Sequence, residues 1–325
     1  MRRSATATAA ALATVLFLAG CSSDGDGTGS APTETATDAS AAPTDGATDG
    51  APDPEAGNAP EDVALLEAVT VEGEPGGEAT LTFDQPLAVS GHAATVASPG
   101  DGAAIEAGQL VLVHFTQVNG ENGEVLDTTY DGEPQPLVVS EQATVTALVD
   151  VLIGQNVGAR VLFATPTQEA AAIMALEVVD AVPMRAEGTA AEAPEGTPAV
   201  TLAENGAPSI EPVAGDPPTE LVATSIIEGS GKPVEEGDYV YAHYTGWLWD
   251  GTMFDSSWEL GNPLPFEAGA GQLIQGWDTG IVGKTVGSQV LFVIPPELGY
   301  GDEGAGDAIP GGSTLVFVVD ILYAG

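Results

Sequence analysis

The stretch YVYAHYTGWLWDGTMFDSS, residues 239–257, decides the fold of this chain. Three residues of its first half alternate onto one face of a predicted strand: Val240, Ala242 and Tyr244. Asp250-Gly251 comes next, and this dipeptide is a strong hairpin signal because both residues tolerate positive φ. The returning strand brings Phe254 and Asp255 back beside Tyr244. The stretch therefore predicts an aromatic β-hairpin with one carboxylate among its rings.

A similar stretch occurs earlier in the chain, where residues 113–127 read VHFTQVNGENGEVLD. His114 and His243 are 129 positions apart, and Asp127 and Asp255 are 128 apart. A near-constant offset that continues over some 90 residues predicts two domains of one fold.

Each copy contains several short predicted strands and one short predicted helix. In the second copy the helix covers residues 275–282, and strands follow at 289–294 and 314–322. The helical pattern places three residues on one face: Ile274, Trp277 and Ile281. We expect an α+β fold in which an antiparallel β-sheet wraps around one short α-helix, present twice. The Gly- and Pro-rich stretch 295–313 is a long loop, and loops of this length are usually functional.

The N-terminus has the architecture of a signal peptide, with two arginines before an apolar run in residues 1–20. The tetrad Leu18-Ala19-Gly20-Cys21 resembles the bacterial lipobox, whose cysteine carries diacylglycerol and becomes the new N-terminus. An ordinary cleavable signal with an incidental cysteine is the alternative. Residues 21–60 have almost nothing to bury, which predicts a disordered acidic tether. The mature protein is expected outside the cytoplasm, anchored to the cell membrane by lipid on Cys21.

The charge of the chain excludes one class of partner. Its 48 acidic and 6 basic residues give a net charge of −42, which repels phosphate backbones and argues against nucleic-acid binding. Anionic lipid surfaces are disfavoured for the same reason, so membrane attachment has to be covalent. Because Cys21 is the single cysteine, no intramolecular disulfide can form.

Covalent and metal chemistry have no sequence signature in this chain. No serine has glycines at both −2 and +2, and no spacing of His, Cys or acidic residues matches a metal site. No cofactor is expected. His114 and His243 occupy the same repeat position, which favours a structural role for both. The remaining candidates are aromatic and apolar, and core packing is the plain interpretation of each one taken alone.

Six sequence blocks resemble the FKBP-type peptidyl-prolyl isomerases, in family order and spacing across residues 218–325. They are His243-Tyr244-Thr245-Gly246, Gly251-x-x-Phe254-Asp255-Ser256-Ser257, Leu273-Ile274-x-Gly276-Trp277, Val286-Gly287, Ile294-Pro295-Pro296-x-x-x-Tyr300-Gly301 and Ile309-Pro310-x-x-x-Thr314-Leu315-Val316-Phe317. Each block alone is a weak signal, and the six together are highly specific. The resemblance implies a prolyl isomerase that assists the folding of extracytoplasmic proteins. Its partners would be proline-containing peptides, unfolded proteins and FKBP-binding macrolides.

The resemblance also assigns roles to residues of the second copy. Trp277 would form the floor of a proline pocket, and the Tyr300 hydroxyl and the Ile309 N–H would contact substrate carbonyls. Asp255 would accept a hydrogen bond from Tyr244 and act by its dipole, not as a base. The resemblance implies that the remaining walls are apolar: Tyr244, Phe254, Leu264, Phe266, Leu273, Ile274 and Phe317.

Three positions depart from the family pattern. Leu264 stands where an aromatic residue is frequent, Leu260 where many members have an arginine near the aspartate, and Ala308 where a larger apolar residue is usual. Such differences would lower activity or change the residue preferred before proline.

The first copy has lost most of the pocket pattern. Phe115 replaces the tyrosine, Leu126 the phenylalanine and Leu148 the tryptophan, whereas Asp127 is retained. The long loop is also missing. We therefore expect residues 61–185 to form a degenerate FKBP-like domain, joined by a linker and lead-in strand at 186–217, with a hinge at 186–200, to a catalytic domain at 218–325. The alternative function is a non-catalytic peptide-binding or holdase chaperone, and an inert surface anchor is a third.

Overall fold

The computed structural model describes residues 57–325. The predicted signal peptide, Cys21 and nearly all of the predicted tether lie outside the described residues. Within residues 57–325, no helix is long and apolar enough to cross a membrane. The described chain consists mostly of antiparallel sheets with few helices.

The first half of the described chain, residues 57–185, contains two helices and eight strands. In chain order they are α1 (Pro60–Glu67), β1 (Thr70–Glu72), β2 (Thr80–Thr82), β3 (Ala93–Ser98), β4 (Leu110–Asn119), β5 (Val125–Thr128), β6 (Gln135–Val138), α2 (Thr146–Leu152), β7 (Arg160–Pro166) and β8 (Ala171–Ala181).

The second half, residues 186–325, contains two helices, one 3₁₀ turn and nine strands. In chain order they are β9 (Gly188–Ala190), β10 (Ala199–Leu202), β11 (Pro208–Glu211), β12 (Val222–Gly229), β13 (Tyr239–Leu248), β14 (Met253–Ser256), α3 (Ser257–Leu260), β15 (Leu264–Glu267), α4 (Gln275–Ile281), β16 (Gln289–Ile294), the 3₁₀ turn Pro296–Leu298 and β17 (Leu315–Ala324).

The two main sheets have the same strand arrangement. The first has the order β3-β7-β8-β4-β5 with β6 also paired to β4, and the second has β12-β16-β17-β13-β14 with β15 also paired to β13. The long strands β4 and β13 start at Leu110 and Tyr239 and end at Asn119 and Leu248, so both ends are 129 positions apart. The second sheet has one further strand, because β9 pairs with the outer edge of β12.

Each half also has a two-stranded hairpin that precedes its main sheet. In β1–β2 Thr70 pairs with Thr82, and in β10–β11 Ala199 pairs with Glu211, again at an offset of 129. The second hairpin covers the outer face of its sheet, where Val200 and Ile210 pack with the buried residues Trp247, Leu291, Val316 and Val318. Because β9, β10 and β11 all lie within residues 186–217, that segment is folded structure and more than a linker.

The hinge predicted at residues 186–200 is likewise bonded to the second half. The N–H of Ala186 donates to the Oδ2 of Asp320 over 2.7 Å, and the N–H of Glu187 donates to the carbonyl of Gly287 over 3.0 Å. A third bond runs from Ala191 to Ile226. These bonds attach the segment to the second half, and the hinge between the two halves stays a prediction.

The predicted hairpin at Asp250-Gly251 is present. The N–H of Gly251 donates to the carbonyl of Leu248, and Gly251 has a φ of 88° that its missing side chain permits. The three residues predicted to share a face of β13 all contribute to the core of the second half: Val240, Ala242 and Tyr244.

Each half contains two α-helices, whereas the sequence predicted one in each copy. α2 and α4 lie at equivalent positions, and α4 starts at Gln275 as predicted but ends at Ile281. α1 and α3 are additional. α1 has a proline in its first turn and buries Leu66. α3 is a single turn that ends at Leu260 and is followed by Gly261, which has a φ of 76°. Short helices of this kind have too few residues to produce a detectable 3.6-residue pattern.

The two halves pack against each other through an apolar cluster. Leu110 and Val138 of the first half pack with Tyr241 and Leu322 of the second, and Val182 joins them from the connection. This contact buries surface on β13, the strand that contains Tyr244, so the first half supports the outer side of the strand on which the site is built.

Candidate active site

A cavity of about 360 Å³ opens between the second sheet, α4 and the loop that follows β16. Ten residues line it: Tyr244, Phe254, Asp255, Leu264, Gln272, Leu273, Ile274, Trp277, Tyr300 and Phe317. Nine of these ten were predicted from the sequence. They come from six separate parts of the second half and meet in part because β13, β14 and β17 are neighbours in the sheet.

Trp277 forms the floor of the cavity. It lies in the first turn of α4 and is 2% exposed. Its ring stacks on Phe292 with centroids 5.9 Å apart and meets Phe317 edge-on at 5.0 Å. Tyr244 is also edge-on, at 5.3 Å. Contacts on several sides fix the ring, so the floor is rigid before any ligand arrives.

Gly246 makes room for two walls of the cavity, a role that the sequence did not reveal. A Cβ at this position would lie 2.7 Å from the ring of Phe254 and 2.8 Å from that of Phe317. Those two rings pack edge-to-face with centroids 5.5 Å apart. Any other residue at 246 would displace them, so this glycine is required by ring packing and not by its backbone angles.

The one carboxylate of the cavity is bound by a tyrosine. The hydroxyl of Tyr244 donates a short hydrogen bond to the Oδ2 of Asp255. Burial, and then this hydrogen bond, raises the pKa of Tyr244 well above 10, so the hydroxyl keeps its proton at every physiological pH. Among residues 57–325 no cation lies within 4 Å of Asp255. Leu260, where an arginine was expected by resemblance, is 70% exposed.

His243 has a structural environment, as its repeat position suggested. Its Nδ1 is 2.9 Å from the Oγ of Ser257, and its ring stacks on Trp258 at 4.2 Å. Burial lowers its pKa from 6.5 to about 4, so the imidazole is neutral near pH 7. His114 repeats the arrangement in the first half, with Thr129 and Tyr130 as partners.

Two predicted site residues do not line the cavity. Phe266 is fully buried behind Trp277, with ring centroids 6.0 Å apart, so it supports the floor without facing a ligand. Ile309 is also buried in the core, and its N–H donates to the carbonyl of Ala305 over 3.1 Å. The contact between that N–H and a substrate stays a prediction, and a substrate carbonyl would have to replace the carbonyl of Ala305 as its acceptor.

Two features of the lining were missed by sequence reasoning. Gln272 lines the cavity, and a lone polar residue before Leu273 gives no periodic signal. The backbone N–H of Ile274 has no acceptor among the described residues, since it precedes the first turn of α4, where helix donors lack intrahelical partners. The general rule for helix starts could have indicated this donor.

The comparisons with known proteins concern this same part of the chain. Residues 230–322 match the family model described as FKBP-type peptidyl-prolyl cis-trans isomerase. An "FK506-binding protein" of Streptomyces anulatus is 44% identical over 117 residues, which are 35% of this chain and 94% of that protein. The chain belongs to the FKBP-type peptidyl-prolyl cis-trans isomerase family.

Two eukaryotic members of the FKBP family show how much of the chain is shared. "FK506-binding protein 2B" of Rhizopus delemar is 56% identical over 87 residues, 26% of this chain and 42% of its own length. Human "Peptidyl-prolyl cis-trans isomerase FKBP2" is 53% identical over 87 residues, 27% of this chain and 61% of its own. The chain thus spans less than two thirds of the length of these two relatives.

The equivalent positions of the first half have no such arrangement. Phe115, Leu148 and Met174 pack together in one core, with no ring in the place of Trp277. Met174 pairs with Gln117 and Phe163 as Phe317 pairs with Gly246 and Phe292, which makes it the counterpart of Phe317. Leu126, the counterpart of Phe254, is 53% exposed and lies outside that core.

Proposed function

We propose that this protein is a peptidyl-prolyl cis-trans isomerase that assists the folding of extracytoplasmic proteins. The observation that supports this most is the cavity of the second half, in which rings surround a rigid tryptophan floor. A proline ring is apolar and compact, and an aromatic floor with edge-on neighbours suits its flat face.

The reaction requires no bond cleavage. Rotation about an X-Pro amide is opposed by about 18–20 kcal/mol of resonance between the nitrogen and the carbonyl. The twisted amide has lost this resonance, so its carbonyl is less polar than in either planar form. A dehydrated apolar cavity therefore binds the twisted form better than the planar ones, and such differential binding lowers the barrier.

Polar groups of the cavity hold the substrate in register. In this proposal the Tyr300 hydroxyl and the N–H of Ile274 donate to substrate carbonyls, the latter in place of the Ile309 N–H. Asp255 orients its dipole toward the reacting carbonyl and is itself held by Tyr244. No proton has to move, and the raised pKa of Tyr244 and the lowered pKa of His243 are consistent with groups that keep one protonation state.

The domain organisation follows from the common offset of 129. We infer that the two halves are copies of one unit, each with its own hairpin, sheet and central helix. The catalytic unit then includes hairpin β10–β11 and starts near residue 199, earlier than the 218 expected from sequence. The first unit is the degenerate copy.

The location of the enzyme is a separate part of the proposal. A lipid on Cys21 would anchor the chain to the outer face of the cell membrane, with the acidic tether between the anchor and the first folded unit. Clients would be proline-containing segments of unfolded proteins. Because the names of two relatives include FK506, macrolides of that type are a further proposed ligand.

The isomerase proposal is tested by measuring cis/trans exchange of an X-Pro peptide with the full chain. We expect a rate above background that is lost in Trp277→Ala while the protein stays folded by circular dichroism. The full chain is the right form, because a catalytic unit alone would expose Tyr241 and Leu322. A folded wild-type chain with only the background rate would refute the proposal.

A holdase function of the first half is a second candidate. Val125 and Leu126 are both 53% exposed on the edge strand β5, where an extended apolar client could bind. If this surface binds clients, Val125→Ser/Leu126→Ser removes the suppression of client aggregation and leaves peptide exchange unchanged. Equal suppression by the double variant and wild type would exclude the surface.

A further inference from the structure

Acidic residues lie on two of the chain segments that contribute to the cavity. Asp255 lines the cavity and is solvent-exposed. Tyr300 lines it as well, and the exposed residues Asp302 and Glu303 follow within three positions. Because consecutive Cα atoms are about 3.8 Å apart, the Cα of Asp302 lies within about 7.6 Å of that of Tyr300. One carboxylate therefore lines the cavity, and two more follow in the chain directly after a residue that lines it.

Within residues 57–325, no basic side chain forms an ion pair with these carboxylates. The described residues include four basic side chains, and each one is engaged away from the cavity. Arg160 binds Glu177, Arg185 approaches Glu187, Lys232 pairs with Asp238 and Lys284 donates to the carbonyl of Ala223.

Leu260 leaves Asp255 without a cation. α3 starts two residues after Asp255, and the side chain of Leu260 at its end is 70% exposed. An exposed leucine contributes little to packing, and it supplies no charge. The hydrogen bond from Tyr244 satisfies one lone pair of the carboxylate but leaves its negative charge in place.

We propose that the cavity selects proline segments with a lysine or arginine next to the proline, and that Asp255, Asp302 and Glu303 determine this specificity. The inference rests on the proposed isomerase function and specifies its substrate class. A cation about 7 Å from one carboxylate in water gains a factor of about three in binding, and an anion loses as much. Each further carboxylate at a similar distance increases the preference for a cation by a similar factor.

The rim, and not the net charge of −42, is the source of the preference. Charges further away than the Debye length, about 8 Å at physiological salt, are largely screened. Carboxylates further than this from a ligand therefore contribute little, whereas Asp255 lines the cavity itself.

The test uses the full chain and three peptides, Ala-Xaa-Pro-Phe with Lys, Leu or Glu before the proline. At low salt we expect kcat/KM for the Lys peptide to exceed that for the Glu peptide by roughly tenfold or more. High salt, about 0.5 M, should bring the two within roughly twofold. Equal values for Lys and Glu at low salt overturn the specificity. Failure to catalyse any of the three peptides overturns the isomerase function instead.

Matched variants show which carboxylates cause the preference for the Lys peptide. Asp302→Asn/Glu303→Gln should reduce the Lys-to-Glu ratio several-fold, and Leu260→Arg should reduce it further, with Leu260→Met as its uncharged control. Glu141→Gln/Glu169→Gln removes two exposed charges from the first half and should leave the ratio unchanged. If the remote pair lowers the ratio as much as the rim pair does, net charge is the cause and the proposal is wrong.

Discussion

The two halves of the chain have the same strand order and the same central helix but different interiors. In the first half the equivalent side chains fill the space beneath the sheet, and in the second half they surround a cavity of about 360 Å³. Three exchanges account for most of the difference: Leu148 for Trp277, Met174 for Phe317 and Gln117 for Gly246.

The comparison shows that the sheet does not require the cavity. Both sheets form with every equivalent strand present, although one interior has a tryptophan floor and the other a leucine. The cavity needs in addition a residue without a side chain at 246 and a long loop after β16 that supplies Tyr300. In the first half only four residues separate β7 from β8, so there is no such loop.

The largest effect on kcat/KM is expected from Trp277→Leu, which places in the second half the leucine found at the equivalent position 148 of the first half. Loss of the floor should reduce kcat/KM by roughly thirtyfold or more, because about 2 kcal/mol of contact with the twisted amide is lost. Unfolding free energy should fall by about 2–3 kcal/mol. Peptide exchange and denaturant unfolding measure the two effects.

Leu148→Ala is the control for this exchange at the equivalent position. It should cost the first half about 2–5 kcal/mol of unfolding free energy and leave kcat/KM unchanged. A parallel loss of activity would mean that the first half takes part in catalysis.

Gly246→Gln tests whether the glycine maintains the walls. The new side chain meets the rings of Phe254 and Phe317, so we expect a roughly tenfold loss of kcat/KM together with lower stability. Adding Phe254→Leu, which reproduces the pair found in the first half, should restore part of the stability but not the activity, because the contact with Phe317 remains. Recovery of full activity in the double variant would show that Phe254 is dispensable.

The two halves also differ at one buried carboxylate, Asp320 in the second half, and its titration can be tested. Its counterpart Glu177 forms a 2.8 Å ion pair with Arg160. Asp320 accepts a bond from Gln289 instead, and among residues 57–325 no cation lies within 4 Å of it. Burial raises the pKa of Asp320 from 3.8 to about 6. Folding therefore favours its protonated form, and its contribution to stability is complete below pH 4 and is lost as the pH rises through 6.

The measurement is unfolding free energy from pH 4 to 7.5. Asp320→Asn should remove a pH-dependent loss of roughly 3 kcal/mol, and Gln289→Arg should reduce it by recreating the ion pair of the first half. Parallel pH curves for wild type and Asp320→Asn would show that this carboxyl does not titrate in the range.

The smallest effect on kcat/KM is expected from removal of the Tyr244 hydroxyl, a group that the first half lacks. Tyr244→Phe introduces the residue found at position 115, and it should lower kcat/KM about threefold to tenfold by releasing Asp255. Asp255→Ala should have a similar effect with little change in unfolding free energy, because its side chain is exposed. An Asp255→Ala variant with the wild-type rate would exclude the dipole role.

Several features could be predicted because they depend on neighbours in sequence. The hairpin at Gly251 follows from two turn residues, the start of α4 from a three-residue apolar face, and β16 from a continuous apolar run. The family blocks then contained eight of the ten lining residues, and the wider resemblance added Leu264. Features set by distant partners were not predictable in this way. Ile309 has its N–H bound by a loop bridge, and β9 joins a strand more than thirty residues away.

The sequence by itself determined the two equivalent sheets, the aromatic composition of the site and the excess of negative charge, because patterning, turn residues and composition act locally or over the whole chain. Only the tertiary structure decided that Phe266 supports the floor from behind, that Gly246 makes room for two rings and that β10–β11 covers the second sheet. These depend on which side chains meet across strands and loops. Sheet register and packing determine these contacts, and the spacing of residues within one segment does not reveal them.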